Sequence, residues 1–398
     1  MIQRKVLKNG MVVIFKQRKN GVVSVAFAVR HGGLNEFEKN KGISHFIEHM
    51  LYKGTPTRNT QQISTEIEKN GGELNGFTSE QITSFWCKMP SKHLPIALDV
   101  LADMVKNPLF DGKEANKERQ VIFEEMKMYQ DTPRLCVLDK IKALLYKGDF
   151  AIPIIGTIKS MNSIDSAKLR EFFERIYTPE NMILAVVGDA DFDELCKFAE
   201  KNFKSKKGKI EMPKVILSNG ESIEKRKGID QANVVFAYHA PLPKDEKNYV
   251  AQVLSVLMAG GMSSRLFSEI REKRNLAYAV KGNTEGEIDY AYNQIYIGTT
   301  AENVQKVKSL ILEEFEKVSK SLDEKELNQV KEQIIGNYIL SMEDSHNILL
   351  NLLISEIRGD ANEIDKFVDK IKSVKLKDVR ELASSVKKGY SFFALVPE

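Results

Sequence analysis

The spacing of apolar residues changes several times along this chain, and each change marks an element. Val12 to Phe15 is an apolar run behind the turn pair Asn9-Gly10, and Val22 to Val29 follows Asn20-Gly21. Both runs predict strands. Between Gly42 and Lys53 the period lengthens. Ile43, Phe46, Ile47 and Met50 fall at i, i+3, i+4 and i+7, one apolar stripe of a helix. Gly54 and Pro56 stop it. A helix from Thr60 to Lys69, a strand region from Glu73 to Met89, and helical patterns over Ser91 to Val105 and Lys113 to about Tyr146 come next. Residues 163–189 read as a capped helix, a Pro stop and an apolar strand.

The second half repeats this order. Val234 to Tyr238 reads as a strand, Tyr249 to Met258 as a helix and Gln294 to Thr299 as a strand. Helical patterns cover Ala301 to Ser319 and Glu324 to Ser341, and residues 373–397 echo residues 163–187 in outline. Between the halves, a stretch rich in Lys, Gly and Ser predicts a linker with one short strand at most. The expected division is 1–205, a linker at 206–228, and a homologous domain at 229–398. Each half is expected to be α+β, with a mainly antiparallel sheet and helices packed on one face.

The polar side of the Gly42–Lys53 helix carries the candidate chemistry. His45, Glu48, His49 and Tyr52 repeat the helical spacing opposite the apolar stripe. Two imidazoles four apart on one face can grip one metal ion, and the carboxylate beside the second can act on a water there. This is the H-x-x-E-H order, the reverse of H-E-x-x-H. The plain alternative is a solvated polar face. A downstream helix places Glu118 and Glu125 two turns apart. Alone, that pattern reads as a solvated acidic run, common on any charged helix.

Taken in order, these motifs resemble the M16 metallopeptidases, the pitrilysin and insulinase-like family, and in size its M16B subgroup of processing-peptidase-like proteins. The carrying residues are His45, Glu48 and His49, then Glu118-Arg119 and Glu125, with Glu125 76 residues after His49. The resemblance implies one Zn2+ per chain, held by His45, His49 and Glu125, with Glu48 as general base. Glu118 would orient a ligand. Glu124 is the rival third ligand, about 100° away round the helix. The segment GGELNGFTSEQITSF, residues 71–85, resembles the strand that binds extended substrate by strand addition, with Asn75 as the candidate contact. Residues 263–280 resemble the family's distal element, which implies Arg271 and Tyr278 as oxyanion donors, with Arg265 ranked behind them. In fold, the resemblance implies two duplicated ferredoxin-like α/β repeats of the LuxS/MPP-like metallohydrolase type.

In function, it implies a zinc-dependent endopeptidase that cleaves peptides or unfolded segments. It further implies a homodimer closed around a chamber, with sites shared between subunits. The alternatives are a processing peptidase for leader or targeting sequences and a catalytically silent partner subunit. Presequence-processing relatives carry a long glycine-rich loop, whereas the matching region here is only residues 258–267.

Composition narrows the field. The net charge of +4 sets 59 basic residues against 55 acidic ones, without the concentrated basic patch of a nucleic-acid binder. The start lacks a continuous apolar run of signal-peptide kind, and no run approaches the ~18 apolar residues of a membrane helix. Cys87, Cys136 and Cys196 are widely spaced and odd in number. The expectation is a cytoplasmic protein that engages neither nucleic acid nor membrane.

Overall fold

The computed structural model describes residues 2–398 and gathers the strand-forming runs into two large sheets. The first half contributes β1 (Ile2–Val6), β2 (Val12–Gln17), β3 (Val22–Val29), β4 (Glu73–Thr78), β5 (Thr83–Pro90), β6 (Tyr146–Lys147) and β7 (Met182–Gly188). The second contributes β8 (Ile216–Leu217), β9 (Glu221–Arg226), β10 (Ala232–His239), β11 (Ala277–Glu287), β12 (Tyr290–Thr299) and β13 (Ser391–Pro397). The sheet orders are β1-β2-β7-β3-β5-β4 and β11-β12-β10-β13-β9. Each sheet has one parallel pair, β2 with β7 and β9 with β13, and is otherwise antiparallel. Read from β9, the second sheet matches β2-β7-β3-β5-β4 in order and direction. The duplicated α+β architecture is therefore plain in the topology. β6 and β8 form a small separate ribbon.

Residues alternate across each strand, and the two faces of the first sheet are covered differently. Val23, Val25, Phe27 and Val29 share a core with Phe85, Cys87 and Met89, and with Phe46, Ile47 and Met50 of the helix Ile43–Leu51. Burying each such side chain stabilises by roughly 1.5–3 kcal/mol. The intervening Ser24, Ala26 and Ala28 are small and buried. A helix, Ser345–Arg358, packs on β3 and β7. There Ser24 Oγ lies 2.8 Å from Ser345 Oγ, and the Trp86 and His346 rings are 3.9 Å apart. In the second sheet the helix Pro133–Leu145 packs on β10 and β13.

The compact units consequently do not follow the linear division. One comprises Met1–Met126, Ile152–Lys214 and Ser341–Ile364; the other comprises Lys127–Ala151, Val215–Leu340 and Asp365–Glu398. Each half lends one helical segment to the other unit. The stretch 206–228 is also more than a linker, since β9 within it pairs along β13 and completes the second sheet. The helical pattern from Lys113 to Tyr146 is two helices, Gly112–Asp131 and Pro133–Leu145. Pro133 starts the second, where its missing N–H costs nothing. Among the described residues, no helix is long and apolar enough to cross a membrane.

The helix Ile43–Leu51 is fixed at its start by unusual means. Gly42 has φ +90°, and a Cβ there would meet Met161 Cε at 2.5 Å and the Ile155 carbonyl at 2.6 Å. Only glycine satisfies both demands. Having no side chain, it cannot cap the helix. Glu36 does so instead, its buried carboxylate accepting from the amides of Gly42 and Ser44 at 2.7 Å each. Burial pushes the Glu36 pKa up, while the Lys41 charge and those two amides pull it back. The Lys41 ammonium is buried as well and donates to the Gly33 carbonyl at 2.5 Å. His31 completes the cluster, with Nδ1 2.9 Å from Ser44 Oγ.

His31 makes stability depend on pH. Burial, with the Arg175 and Lys41 charges, holds its pKa down to about 3, against 6.5 when unfolded. Between those values the unfolded chain binds the extra proton, so stability rises with pH and is lost as pH falls from 6.5. The His31 contribution should change by about 1.4 kcal/mol per pH unit inside that window. Denaturant unfolding of the wild type and His31→Gln between pH 7.5 and 4.5 should show the wild type losing stability more steeply on acidification. Parallel pH profiles would show that His31 is not held neutral.

Candidate metal centre

His45, Glu48 and His49 project from the half-buried side of the helix Ile43–Leu51, whose other side is fully buried. The two imidazole centroids are 4.6 Å apart. The helix Gly112–Asp131 brings Glu125 to them. Its Oε2 is 3.6 Å from His45 Nε2 and 3.6 Å from His49 Nε2. One donor atom from each residue lies within 4.8 Å of the others. Donors about 2.1 Å from a tetrahedral ion stand about 3.4 Å apart, so this spacing fits a single zinc. Among the described residues, these three form the one such group of His, Cys, Asp or Glu side chains. Glu124 is exposed and stands outside it.

The surroundings prepare these side chains as ligands. Burial, reinforced by His49, holds the His45 pKa down to about 3, so the ring is a neutral donor. His49 Nδ1 is 3.2 Å from Glu118 Oε2, and Glu118 Oε1 is 2.6 Å from the Lys53 ammonium. A carboxylate paired with lysine accepts, so Nδ1 carries the imidazole proton. The Nε2 lone pair is then free on the Glu125 side. His45 Nδ1 is buried without a hydrogen-bond partner, so this ring has no counterpart to the Glu118 contact of His49. Burial raises the Glu125 pKa and the nearby His49 opposes the rise.

Glu48 is held apart from this group. Its Oε2 accepts from Thr78 Oγ1 at 2.5 Å, which leaves Oε1 for another partner. Burial raises its pKa, Thr78 and His49 lower it, and Glu125 raises it. Thr78 ends β4, the edge strand of the first sheet. Asn75 is exposed on the same strand, its Oδ1 accepting from the Gly76 amide at 2.8 Å.

Thr78 and Lys53 are the side chains that motif reading missed. Lys53 was readable, since it follows His49 by four residues, although the helix itself ends at Leu51. Thr78 sits inside the segment singled out around Asn75, but only the pairing of β4 beside the helix points it at Glu48.

The distal residues belong to the second unit, whereas His45, Glu48, His49, Asn75, Glu118 and Glu125 belong to the first. Arg271 is exposed on the short π-type helix Phe267–Glu272, its guanidinium 4.8 Å from the Phe267 ring centroid and 3.9 Å from Glu272. Tyr278 is 46% exposed at the start of β11. Arg265 is committed elsewhere. Its Nε donates to Glu326 Oε1 at 2.7 Å, and Glu314 lies at 3.8 Å, so it acts as a structural ion-pair partner.

Two family models match the sequence. Residues 11–158 match the insulinase family of M16 peptidases, and residues 163–334 match the M16 peptidase inactive domain. The chain is 33% identical over 393 residues to the uncharacterized zinc protease YmxG of Bacillus subtilis, covering 96% of this chain and 95% of that protein. An uncharacterized zinc protease of Streptomyces coelicolor is 29% identical, with coverage of 97% and 87%. Among solved structures, a protease from Helicobacter pylori superposes with a TM-score of 0.91 at 23% identity over the whole of both chains. A Pseudomonas fluorescens structure described as an M16 inactive domain gives 0.91 at 17%, covering 100% of this chain and 98% of that one. The three-donor group lies within the first matched segment, and Arg271 and Tyr278 lie within the second.

Metal-binding assays should separate the roles of the three carboxylates on the helix Gly112–Asp131. Glu125→Gln should lose zinc, whereas Glu124→Gln should keep it. Glu118→Gln should weaken zinc binding by about 10–100-fold, the usual effect of removing a hydrogen-bond partner from a ligand. Competition against a chromophoric chelator reads all three. Unchanged zinc binding in Glu125→Gln would remove it from the ligand set.

Proposed function

Because the chain belongs to the M16, insulinase-like, peptidase family, we propose that it is a zinc-dependent endopeptidase that cleaves peptides or unfolded segments. The observation that carries this reading is the separation of roles on one helix. His45 and His49 meet Glu125, while Glu48 between them is tied to Thr78 and stays out of the donor group. A purely structural zinc site is usually closed by four ligands and has no such spare carboxylate.

His45, His49 and Glu125 would hold a zinc ion, which would supply Lewis acidity for a carbonyl and for a water. Glu48 receives the proton of the attacking water and delivers it to the leaving amine. Burial suits it to this task by making its carboxylate a stronger base than an exposed one. Thr78 keeps one Glu48 oxygen occupied, so the other faces the reaction. Arg271 and Tyr278 donate to the oxyanion. An extended substrate adds to the open edge of β4 near Asn75 through backbone hydrogen bonds.

The working form is a homodimer whose sites are shared between subunits around a closed chamber. The motive is a single chain that carries both the donor group and the Arg271/Tyr278 pair, each in a different unit. The segment matching the inactive domain covers residues 163–334 and leaves the donor group outside it, which suits one working half and one supporting half. Three buried, unpaired cysteines suit the reducing cytoplasm.

Glu48→Gln should keep its zinc and lose turnover by about 10²–10⁴-fold, the range of general-base catalysis. Cleavage of a mixed unfolded-peptide library, resolved by mass spectrometry with and without chelator, measures the loss. A Glu48→Gln protein that lacks zinc would overturn the base assignment. For sharing, Glu48→Gln subunits mixed with Arg271→Ala/Tyr278→Phe subunits should regain cleavage after exchange. Proven heterodimers no more active than their parents would show that the pair does not act in trans.

A further inference from the structure

We infer that Gly298 is a positioning residue for Tyr278: it opens the space on β12 in which the phenol rests, ready to donate. The inference rests on the reading of Tyr278 as an oxyanion donor. Every group it invokes lies in the second unit.

Tyr278 sits where the pairing of β11 with β12 slips. Ala277 pairs with Thr299 and Ala279 with Gly298, leaving Tyr278 as the extra residue. A bulge of this kind re-aims the side chain it carries. Here the ring is laid against Gly298. A Cβ on residue 298 would stand 2.1 Å from Tyr278 Cζ and 2.4 Å from its hydroxyl oxygen. Any side chain at 298 would therefore displace the phenol. Gly298 is not among the glycines with positive φ, so its backbone accepts an L residue without strain. The demand for glycine at this position comes from the ring above it.

The hydrogen bonds define where the Tyr278 proton rests. Asn233 Nδ2 donates to the Gln231 carbonyl at 3.2 Å, which fixes the amide so that Oδ1 faces Tyr296. The Tyr296 hydroxyl donates to that Oδ1 at 2.7 Å and so spends its one proton. At the Tyr278–Tyr296 contact of 3.5 Å, Tyr278 must then be the donor. That bond is at the long limit and is surrendered easily. Tyr296 itself is buried, with the Arg134 guanidinium 5.2 Å from its ring centroid. The phenol thus has a fixed resting place, a weak inner partner and a half-exposed face.

The test is steady-state cleavage by the zinc-loaded full-length protein. Gly298→Ala should lower kcat by about 10²-fold, the scale of one oxyanion donor, with KM within about twofold. Zinc content and thermal midpoint should stay at wild-type values. In a Tyr278→Ala background there is no ring to displace, so adding Gly298→Ala should cost nothing further. Binding of a phosphinate peptide that mimics the oxyanion, followed by titration, should weaken in Gly298→Ala while product-peptide binding holds. If Tyr278→Phe loses turnover but Gly298→Ala does not, the positioning role is wrong and the donor role stands. If Tyr278→Phe keeps full turnover, the donor role fails and the positioning role with it. An equal loss of kcat or stability on adding Gly298→Ala to Tyr278→Ala would mean that glycine serves something other than the phenol, which also overturns the inference.

Discussion

The buried carboxylate of Glu36 fixes the start of the helix on which the first unit's chemistry depends. It closes two amides that the helix Ile43–Leu51 would otherwise leave open beneath its core-facing turn. An unsatisfied buried amide costs about 1–3 kcal/mol, and the negative charge also complements the positive end of the helix. Gly42 cannot supply the cap, because its close neighbours forbid a side chain. The phase of the helix is thereby set from a residue six positions upstream. His45, Glu48 and His49 inherit that phase.

Burial does two different things around the donor group. It keeps His45 neutral, which a metal ligand needs, and it raises the basicity of Glu48 and Glu125. Glu118 pairs with the Lys53 ammonium through one oxygen and accepts from His49 through the other. Three carboxylates, Glu48, Glu118 and Glu125, thus take different parts because their partners differ. A threonine, a lysine and a histidine pair supply those differences.

The helix Ile43–Leu51 was legible because its apolar stripe and its polar residues follow one period and Gly54 ends it. The spacing of Glu118 and Glu125 was legible too, although only the fold shows Glu125 meeting the imidazoles while Glu124 faces out. The cap was not legible. Glu36 lies outside every standard capping position, and only the turns at 33–40 bring it back. β11 was missed for another reason. Its Lys, Gly, Asn and Glu residues have weak strand preference, and its pairing with β12 decides its state. The pattern also leaves residues 342–372 unread. An amphipathic helix such as Ser345–Arg358 announces an apolar face, yet nothing local says which sheet will receive it.

That exchange of helices has a consequence for how the chain is made. The first sheet is complete by residue 188, but the helix that covers its small-residue face ends at residue 358. Ser24 and Ser345, which touch, are 321 residues apart in sequence. During synthesis the first unit therefore waits, with one face uncovered, until most of the second half has left the ribosome. Contacts of such range slow folding and lengthen exposure of apolar surface to other chains. The arrangement also binds the fates of the two repeats. Neither can be separated as an independent gene product without carrying a borrowed helix. A truncated chain should accordingly be an aggregation-prone species rather than a smaller working protein.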